Sequence, residues 1–249
     1  MKKSFRSRAI ECARWTGEAL LSLLYPPHCA ACGNDTPAGS HLCEKCGGEA
    51  RPIRAPFCEK CSQPFEGAIT GEFTCANCTG REFHFTCAVA PYRAQGVVRE
   101  FIHSFKYNGK FHLRHQLAGW MAAGLEDERI RRQPVDGITP VPLHPARERE
   151  REFNQAAVLA EFLAERTQWP LLPCLSRDRY TTTQTRLDRE ERMENLRGAF
   201  SVRHAPDVIG RHLLLIDDIF TTGSTVEECS RVLAEAGAAS VRVLTIARA

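Results

Sequence analysis

HLLLIDDIFTTGSTVEE, His212 to Glu228, decides the fold class. Four apolar residues, Leu213 to Ile216, run without interruption, and two adjacent carboxylates, Asp217 and Asp218, follow them. A short loop comes next, Thr221, Thr222, Gly223, Ser224 and Thr225, and then a helix-like run to Ala236. An unbroken apolar run reads as a strand buried on both faces of a parallel sheet. In open parallel sheets ligands bind beyond the carboxyl ends of the strands. The acid pair and the Thr/Gly/Ser loop therefore stand where a ligand would.

The loop's chemistry can be read directly. Gly223 permits a tight turn with positive φ and a close backbone approach, and Ser224 or Thr225 can N-cap the helix that follows. Free N–H groups at that helix start, with the hydroxyls of Thr221, Thr222 and Thr225, suit a phosphomonoester. Ionised Asp217 and Asp218 are acceptors only, fitted to sugar hydroxyls or a hydrated Mg²⁺. Phosphate on one side and diol acceptors on the other describe a ribose 5-phosphate site. No G-x-x-x-x-G-K-[ST] run is present, so a P-loop nucleotide site is excluded.

Working outward, Thr86–Tyr92 reads as a strand, Gly96–Tyr107 and Leu113–Leu125 as helices, and Asp136–Leu143 as a second buried strand leading into HPARERERE. Asn154–Arg166 reads as an amphipathic helix, Ala199–Val202 as a short strand and Val241–Ile246 as a closing strand. Strands separated by helices imply an α/β domain with a parallel sheet flanked by helices.

The other end of the chain carries different chemistry. Four C-x-x-C pairs lie between residues 29 and 78: Cys29/Cys32, Cys43/Cys46, Cys58/Cys61 and Cys75/Cys78. A C-x-x-C turn points both sulfurs at one centre, and two such turns complete a tetrahedral Cys₄ zinc site. Gly33 and Gly47 follow the second cysteine of their turns, where positive φ is useful. Two Zn²⁺ ions are expected, most simply in sequential ribbons, with an interleaved pairing left open. Nothing suggests secretion, so disulfides are not expected. Cys12, Cys87, Cys174 and Cys229 read as buried small residues, and His28, His41 and His84 as bystanders. The segment before residue 80 is turn-rich and aliphatic-poor, so metal binding must supply its folding free energy. The expected division is an amphipathic helix over 1–25, a double zinc ribbon over 26–82 and the α/β domain over 86–249.

Bulk charge offers no support for nucleic-acid binding. The formal charge is +3, and two Cys₄ zinc centres of −2 each would take it to −1. The 27 arginines against 6 lysines favour forked contacts to phosphate or carboxylate. Residues 1–25 are basic at first, but Glu11, Arg14 and Glu18 interrupt any secretory h-region, and no stretch approaches a transmembrane length. A cytoplasmic location is expected, with the first helix packing on the zinc module, or binding a partner or membrane surface. Ser176 to Arg197 is polar and lacks an apolar stripe, as a lid or a solvated loop would. If it is a lid, Arg177, Arg179, Arg186 and Arg189 are candidates to meet an anionic leaving group.

At Asp217–Thr225 the chain resembles the phosphoribosyl pyrophosphate (PRPP) motif of type I phosphoribosyltransferases. Over nearly its whole length it resembles the ComF/GntX family, a double zinc ribbon joined to a phosphoribosyltransferase-like domain. The motifs that carry this are the cysteine turns, FKYNGK (Phe105–Lys110), PVPLHPARERERE with FNQ (Pro140–Gln155), TQTRLDREERMENLRGAF (Thr183–Phe200) and LLLIDDIFTTGST. One departure is Glu152, where the family usually has glycine before Phe-Asn-Gln.

The resemblance implies PRPP with Mg²⁺ as ligand. Asp217 and Asp218 would hold the ribose as the catalytic acids, and Thr221, Thr222, Gly223, Ser224 and Thr225 the 5-phosphate. His144, Arg147 and the 176–197 segment would meet pyrophosphate and acceptor. The resemblance further implies a phosphoribosyltransferase serving bacterial DNA uptake or utilisation (natural competence), with competence-machinery proteins as partners. The alternative is a non-catalytic adaptor that handles single-stranded DNA or senses PRPP. In the DNA reading Lys45, Arg51, Arg54, Lys60 and Arg81 would touch the backbone and Phe57 or Phe65 would stack on bases.

Overall fold

The computed structural model describes residues 28–37, 40–69, 71–181 and 189–249, with only the backbone at 189, 190 and 192. The helix expected over 1–25, Cys12 and Arg186 lie outside these residues, as does the side chain of Arg189. The chain divides into two compact units, Met1–Ala50 and Arg51–Ala249. The division falls between the two cysteine clusters, so the second cluster belongs to the larger unit.

In the smaller unit, Cys43 caps the short helix α1 (Glu44–Glu49). The Ala30 N–H donates to the His41 carbonyl at 3.0 Å and ties the two cysteine turns together.

The larger unit is built on parallel strands. They are β1 (Ala88–Val89), β2 (Tyr92–Arg93), β3 (Gly137–Pro140), β6 (His212–Ile216), β7 (Ile219–Phe220), β8 (Ser240–Leu244) and β9 (Ala247–Arg248). The order is β1-β8-β6-β3, with β2-β9-β7 as a second parallel set. The two sets share three strand lines, because each line resumes after two residues: Ala90–Pro91, Asp217–Asp218 and Thr245–Ile246. Register holds across the gap, with Ile246 N–H donating to the Asp218 carbonyl at 3.1 Å and Asp217 N–H to the Leu244 carbonyl at 3.2 Å. The single strand expected over Thr86–Tyr92 is thus β1 and β2. The acid pair sits at a break within a strand line, not at its end.

β6 is paired on both sides, and Leu213, Leu214, Leu215 and Ile216 have no exposed area. Helices cover the sheet as the alternating pattern requires. They are α2 (Gly96–Tyr107), α3 (Arg114–Ala122, inside the Leu113–Leu125 expectation, with 3₁₀ turns at both ends), α4 (Glu128–Arg131), α5 (Pro145–Arg151), α6 (Gln155–Thr167) and α8 (Ser224–Glu235). α2 buries Val97, Val98, Phe101, Ile102 and Phe105, a helical stripe that seats its last turn against the core.

The polar stretch 176–197 is not one loop. It begins in β4 (Leu175–Arg177) and ends in α7 (Arg189–Leu196). β4 pairs antiparallel with β5 (Phe200–Val202) in a small sheet of its own, so the expected 199–202 strand is real but lies outside the parallel sheet. α7 is held by α8: the Gly198 N–H donates to Glu228 at 2.7 Å, and Glu228 is also forked by Arg231. Cys87, Cys174 and Cys229 are buried, as read. Among the described residues, no helix is long and apolar enough to cross a membrane.

Candidate functional site

A cleft of about 430 Å³ opens at the strand-line breaks. It is lined by Asp217, Asp218, Thr221, Thr222, Ser224, Thr225, His144 and Arg147, so one cavity gathers every side chain named for the ribose-phosphate site. The sequence reading had missed Lys106, Tyr107, Arg151 and Thr181, which also line it. FKYNGK contained the first two, but only as a family signature.

Gly223 carries the loop. Its φ is +80°, and a Cβ there would lie 2.6 Å from the Phe220 ring, so two independent constraints select glycine. Gly223 is itself the N-cap of α8, which corrects the expectation that Ser224 or Thr225 would cap. Those two are the first helical residues. The Thr222 hydroxyl instead accepts from the Ser224 N–H at 3.4 Å and bonds the Ser224 hydroxyl at 2.9 Å. The result is a hydroxyl-rich helix start, at the positive end of the macrodipole, lining the same cleft as the acid pair.

The two acids are not equivalent. Asp217 Oδ1 accepts from the Asp218 N–H at 2.9 Å. Burial first, and the neighbouring Asp218 carboxylate second, push the Asp217 carboxyl up to about 7. Asp218 is paired with Lys106, Nζ to Oδ2 2.7 Å. Lys106 is in the last turn of α2, which the apolar stripe of that helix fixes.

The cationic wall comes from α5 and its neighbours. His144 caps α5, its Nδ1 accepting from the Ala146 N–H at 3.2 Å, and its ring meets Tyr180 edge-on at 5.2 Å. Arg147 lies 5.4 Å over the Tyr180 ring, and Arg151, one turn on, lies 4.9 Å over Tyr107 and donates to its hydroxyl at 3.2 Å. Arg177 reaches the cleft, donates to Thr181 and is lowered by burial. Arg179 does not reach it. It donates to the carbonyls of Asn195 and Arg197 at 2.8 and 2.9 Å, at the end of α7. The chain leaves α5 through Glu152 at φ +68°, a left-handed position where glycine would cost less.

The cysteines form two sequential groups, Cys29, Cys32, Cys43, Cys46 and Cys58, Cys61, Cys75, Cys78, with the sulfurs of each group all within 4.8 Å of one another. In each turn the first cysteine's carbonyl accepts the N–H four residues on: Cys29 from Gly33, Cys43 from Gly47 and Cys58 from Ser62 at 2.8 Å, Cys75 from Thr79 at 3.0 Å. Gly33 has φ +76° as expected, but Gly47 lies inside α1 and uses no positive φ, while Ser62 adopts +57° without being glycine. The Cys32–Cys43 and Cys61–Cys75 sulfurs are 3.7 Å apart. A zinc tetrahedron with Zn–S bonds of about 2.3 Å has edges of about 3.8 Å, so both groups fit Zn²⁺. In the second group the Cys61 thiol, hydrogen-bonded to Cys58, holds Cys58 down to about 4 and is itself pushed up. Crowded thiols that cannot all keep their protons are ready to take a dication.

The second group is built into the larger unit. The Ala88 N–H donates to the Lys60 carbonyl at 2.8 Å, Lys60 Nζ to the Thr86 carbonyl at 2.8 Å, and the Ser62 hydroxyl to the Ala88 carbonyl at 2.9 Å. Arg129 on α4 donates to the carbonyls of Cys58 and Glu59 and to the Ser62 hydroxyl, and covers Phe57 at 4.5 Å. One face of the Phe57 ring is therefore covered by the guanidinium.

Residues 20–79 match the double zinc ribbon domain, and residues 154–249 the phosphoribosyl transferase domain. The fold and site thus define a zinc-ribbon protein with a phosphoribosyltransferase-type α/β domain. The DNA utilization protein YhgH of Escherichia coli (strain K12) is 31% identical over 94% of this chain and 96% of its own length. Competence protein F of Haemophilus influenzae is 29% identical over 89% of this chain and 96% of its own. The chain belongs to the family of these two proteins. Among solved structures, that of the allosteric regulatory enzyme of purine biosynthesis aligns with a TM-score of 0.40 and 21% identity, over 58% of this chain and 30% of that one.

Proposed function

We propose that the protein is a cytoplasmic PRPP-binding member of this family that acts in the uptake or utilisation of DNA, with Zn²⁺ in both Cys₄ groups as structural ions. One observation carries the reading: a single cleft is lined both by an acid pair at a strand-line break and by the Thr/Gly/Ser loop at the start of a twelve-residue helix. Ribose hydroxyls would be accepted by Asp217 and Asp218, and the 5-phosphate would lie against Thr221–Thr225 and the α8 N–H groups. Mg²⁺ entering with PRPP would offset the charge of the pyrophosphate.

If the protein turns over, the bond from the anomeric carbon to pyrophosphate breaks and a bond to an acceptor nitrogen forms. Arg147, Arg151 and Arg177 line the cleft and would supply the cations a departing anion needs. Tyr107, exposed and lining the cleft, would offer an aromatic edge to a planar acceptor. Gly223→Val should abolish PRPP binding while zinc stays at two per chain; unchanged affinity would sink the reading.

A second reading, single-stranded DNA handling with competence proteins as partners, is supported by the exposed Arg51, Arg54 and Arg81 and by the relatives' names. Phosphate contacts release counterions, so such binding must weaken as salt rises. Binding indifferent to salt would argue against it.

A further inference from the structure

The floor of the cleft already contains a cation. Lys106 Nζ and Asp218 Oδ2 are 2.7 Å apart, with only 17% and 8% of the two side chains exposed. Neither partner is free to wander. Lys106 follows Phe105, which is buried with Val98 and Ile102 on α2, and Asp218 is fixed by strand bonds on both sides of the break. The Asp218 N–H also donates to Asp217 Oδ1 and holds the two carboxylates as a unit. Two ionised carboxylates on consecutive residues in a cleft repel each other, and without a positive charge beside them the second would be an unpaired buried anion. A divalent metal is one source of that charge. Here a lysine supplies it, and a cation approaching Asp218 Oδ2 must first displace the ammonium.

We propose that Lys106 is the resident counter-cation of the acid pair. It takes the place of a metal on the acids, so that the cleft binds its ribose-phosphate ligand without an obligatory divalent ion on Asp217 and Asp218. This rests on the ribose-phosphate reading of the cleft and goes beyond it, because it concerns what neutralises the acids. Lys106 is a positioning residue: it acts through Asp218.

The test uses the full zinc-loaded chain in divalent-free buffer without chelator, so that the structural zinc stays in place. Mn²⁺ alone is titrated by electron paramagnetic resonance into the wild type, Lys106→Met, Lys106→Arg and the double variant Lys106→Met/Asp218→Asn. Uncovering the carboxylates should tighten Mn²⁺ binding by about tenfold or more in Lys106→Met. Lys106→Arg, which keeps the charge, should bind as weakly as wild type, and the double variant should lose the gain. Ribose 5-phosphate, which has no pyrophosphate to draw in Mg²⁺, is then titrated with and without added Mg²⁺. Wild-type affinity should differ by less than about tenfold between the two, whereas Lys106→Met should need Mg²⁺. Equal Mn²⁺ affinity in wild type and Lys106→Met, or wild-type ribose 5-phosphate binding that vanishes without Mg²⁺, would overturn the inference and leave the ribose-phosphate reading standing. No ribose 5-phosphate binding under either condition would remove both.

Discussion

Arg129 is the clearest place to test whether the second cysteine group is part of the larger unit's core. Its guanidinium forks Asp127 at 2.9 and 2.7 Å, donates to two backbone carbonyls and the Ser62 hydroxyl, and covers Phe57. The Arg129 side chain is 7% exposed and Asp127 20%. Removing one partner of a buried pair costs about 3–5 kcal/mol, because the other charge stays behind unpaired. The remaining access of water to Asp127 places this case at the lower end, and the lost contact with Phe57 adds about 0.5–1 kcal/mol. Arg129→Ala should therefore destabilise by about 3–4 kcal/mol. For a unit of this size each kcal/mol shifts the melting temperature by about 2–4 °C, so a fall of roughly 10 °C is expected. Thermal unfolding of the zinc-loaded protein reads the shift, and hydrogen exchange should show residues 58–62 losing protection together with α4. Arg129→Lys keeps a charge but not the fork and should recover only part of the loss. A shift below about 2 °C would refute the reasoning, since it would mean the ribbon and the sheet unfold independently.

Other outcomes follow from the same structure. Glu152 is exposed and left-handed, so Glu152→Gly should stabilise by about 0.5–1 kcal/mol, the relief of αL strain less the entropy of glycine, measured by denaturant midpoint. Cys75→Ser should lower the melting temperature of the larger unit, while Cys32→Ser should leave that transition in place; zinc content and calorimetry distinguish the two. Burial holds the Asp217 carboxyl at about 7, above its unfolded value of about 3.9, so its stabilising contribution is complete below the unfolded value and lost as pH rises through 7. Ligand affinity should move the opposite way over that window, because ribose hydroxyls need the ionised acceptor, and titrations at several pH values check the crossing trends.

What could be read from the sequence was chemistry fixed by short spacing. The two-residue separation in each C-x-x-C turn dictates a shared metal centre, and the four turns form the expected sequential groups. The apolar run Leu213–Ile216 could only be a doubly covered strand, and the acids and loop beyond it meet in one cleft. What could not be read depends on contacts between distant residues. Nothing local to Arg129 announces that it will grip the turn at Cys58–Ser62, some 70 positions away, so the compact division at Ala50/Arg51, inside the expected 26–82 ribbon, could not be read. Lys106 looks like an ordinary helix-terminal lysine until Asp218 is placed beside it. The polar stretch from Ser176 hid β4 because a three-residue strand in a two-stranded sheet needs almost no apolar pattern.

The central claim is the ribose-phosphate site, and one titration tests it most directly. Zinc-loaded protein is titrated calorimetrically with PRPP and Mg²⁺, beside the Asp217→Asn/Asp218→Asn variant, which keeps the shape of both side chains and removes their charge. Saturable binding of the wild type, lost in the variant while its melting temperature and zinc content hold, is the expected result. No binding by either protein, or equal binding by both, would contradict it.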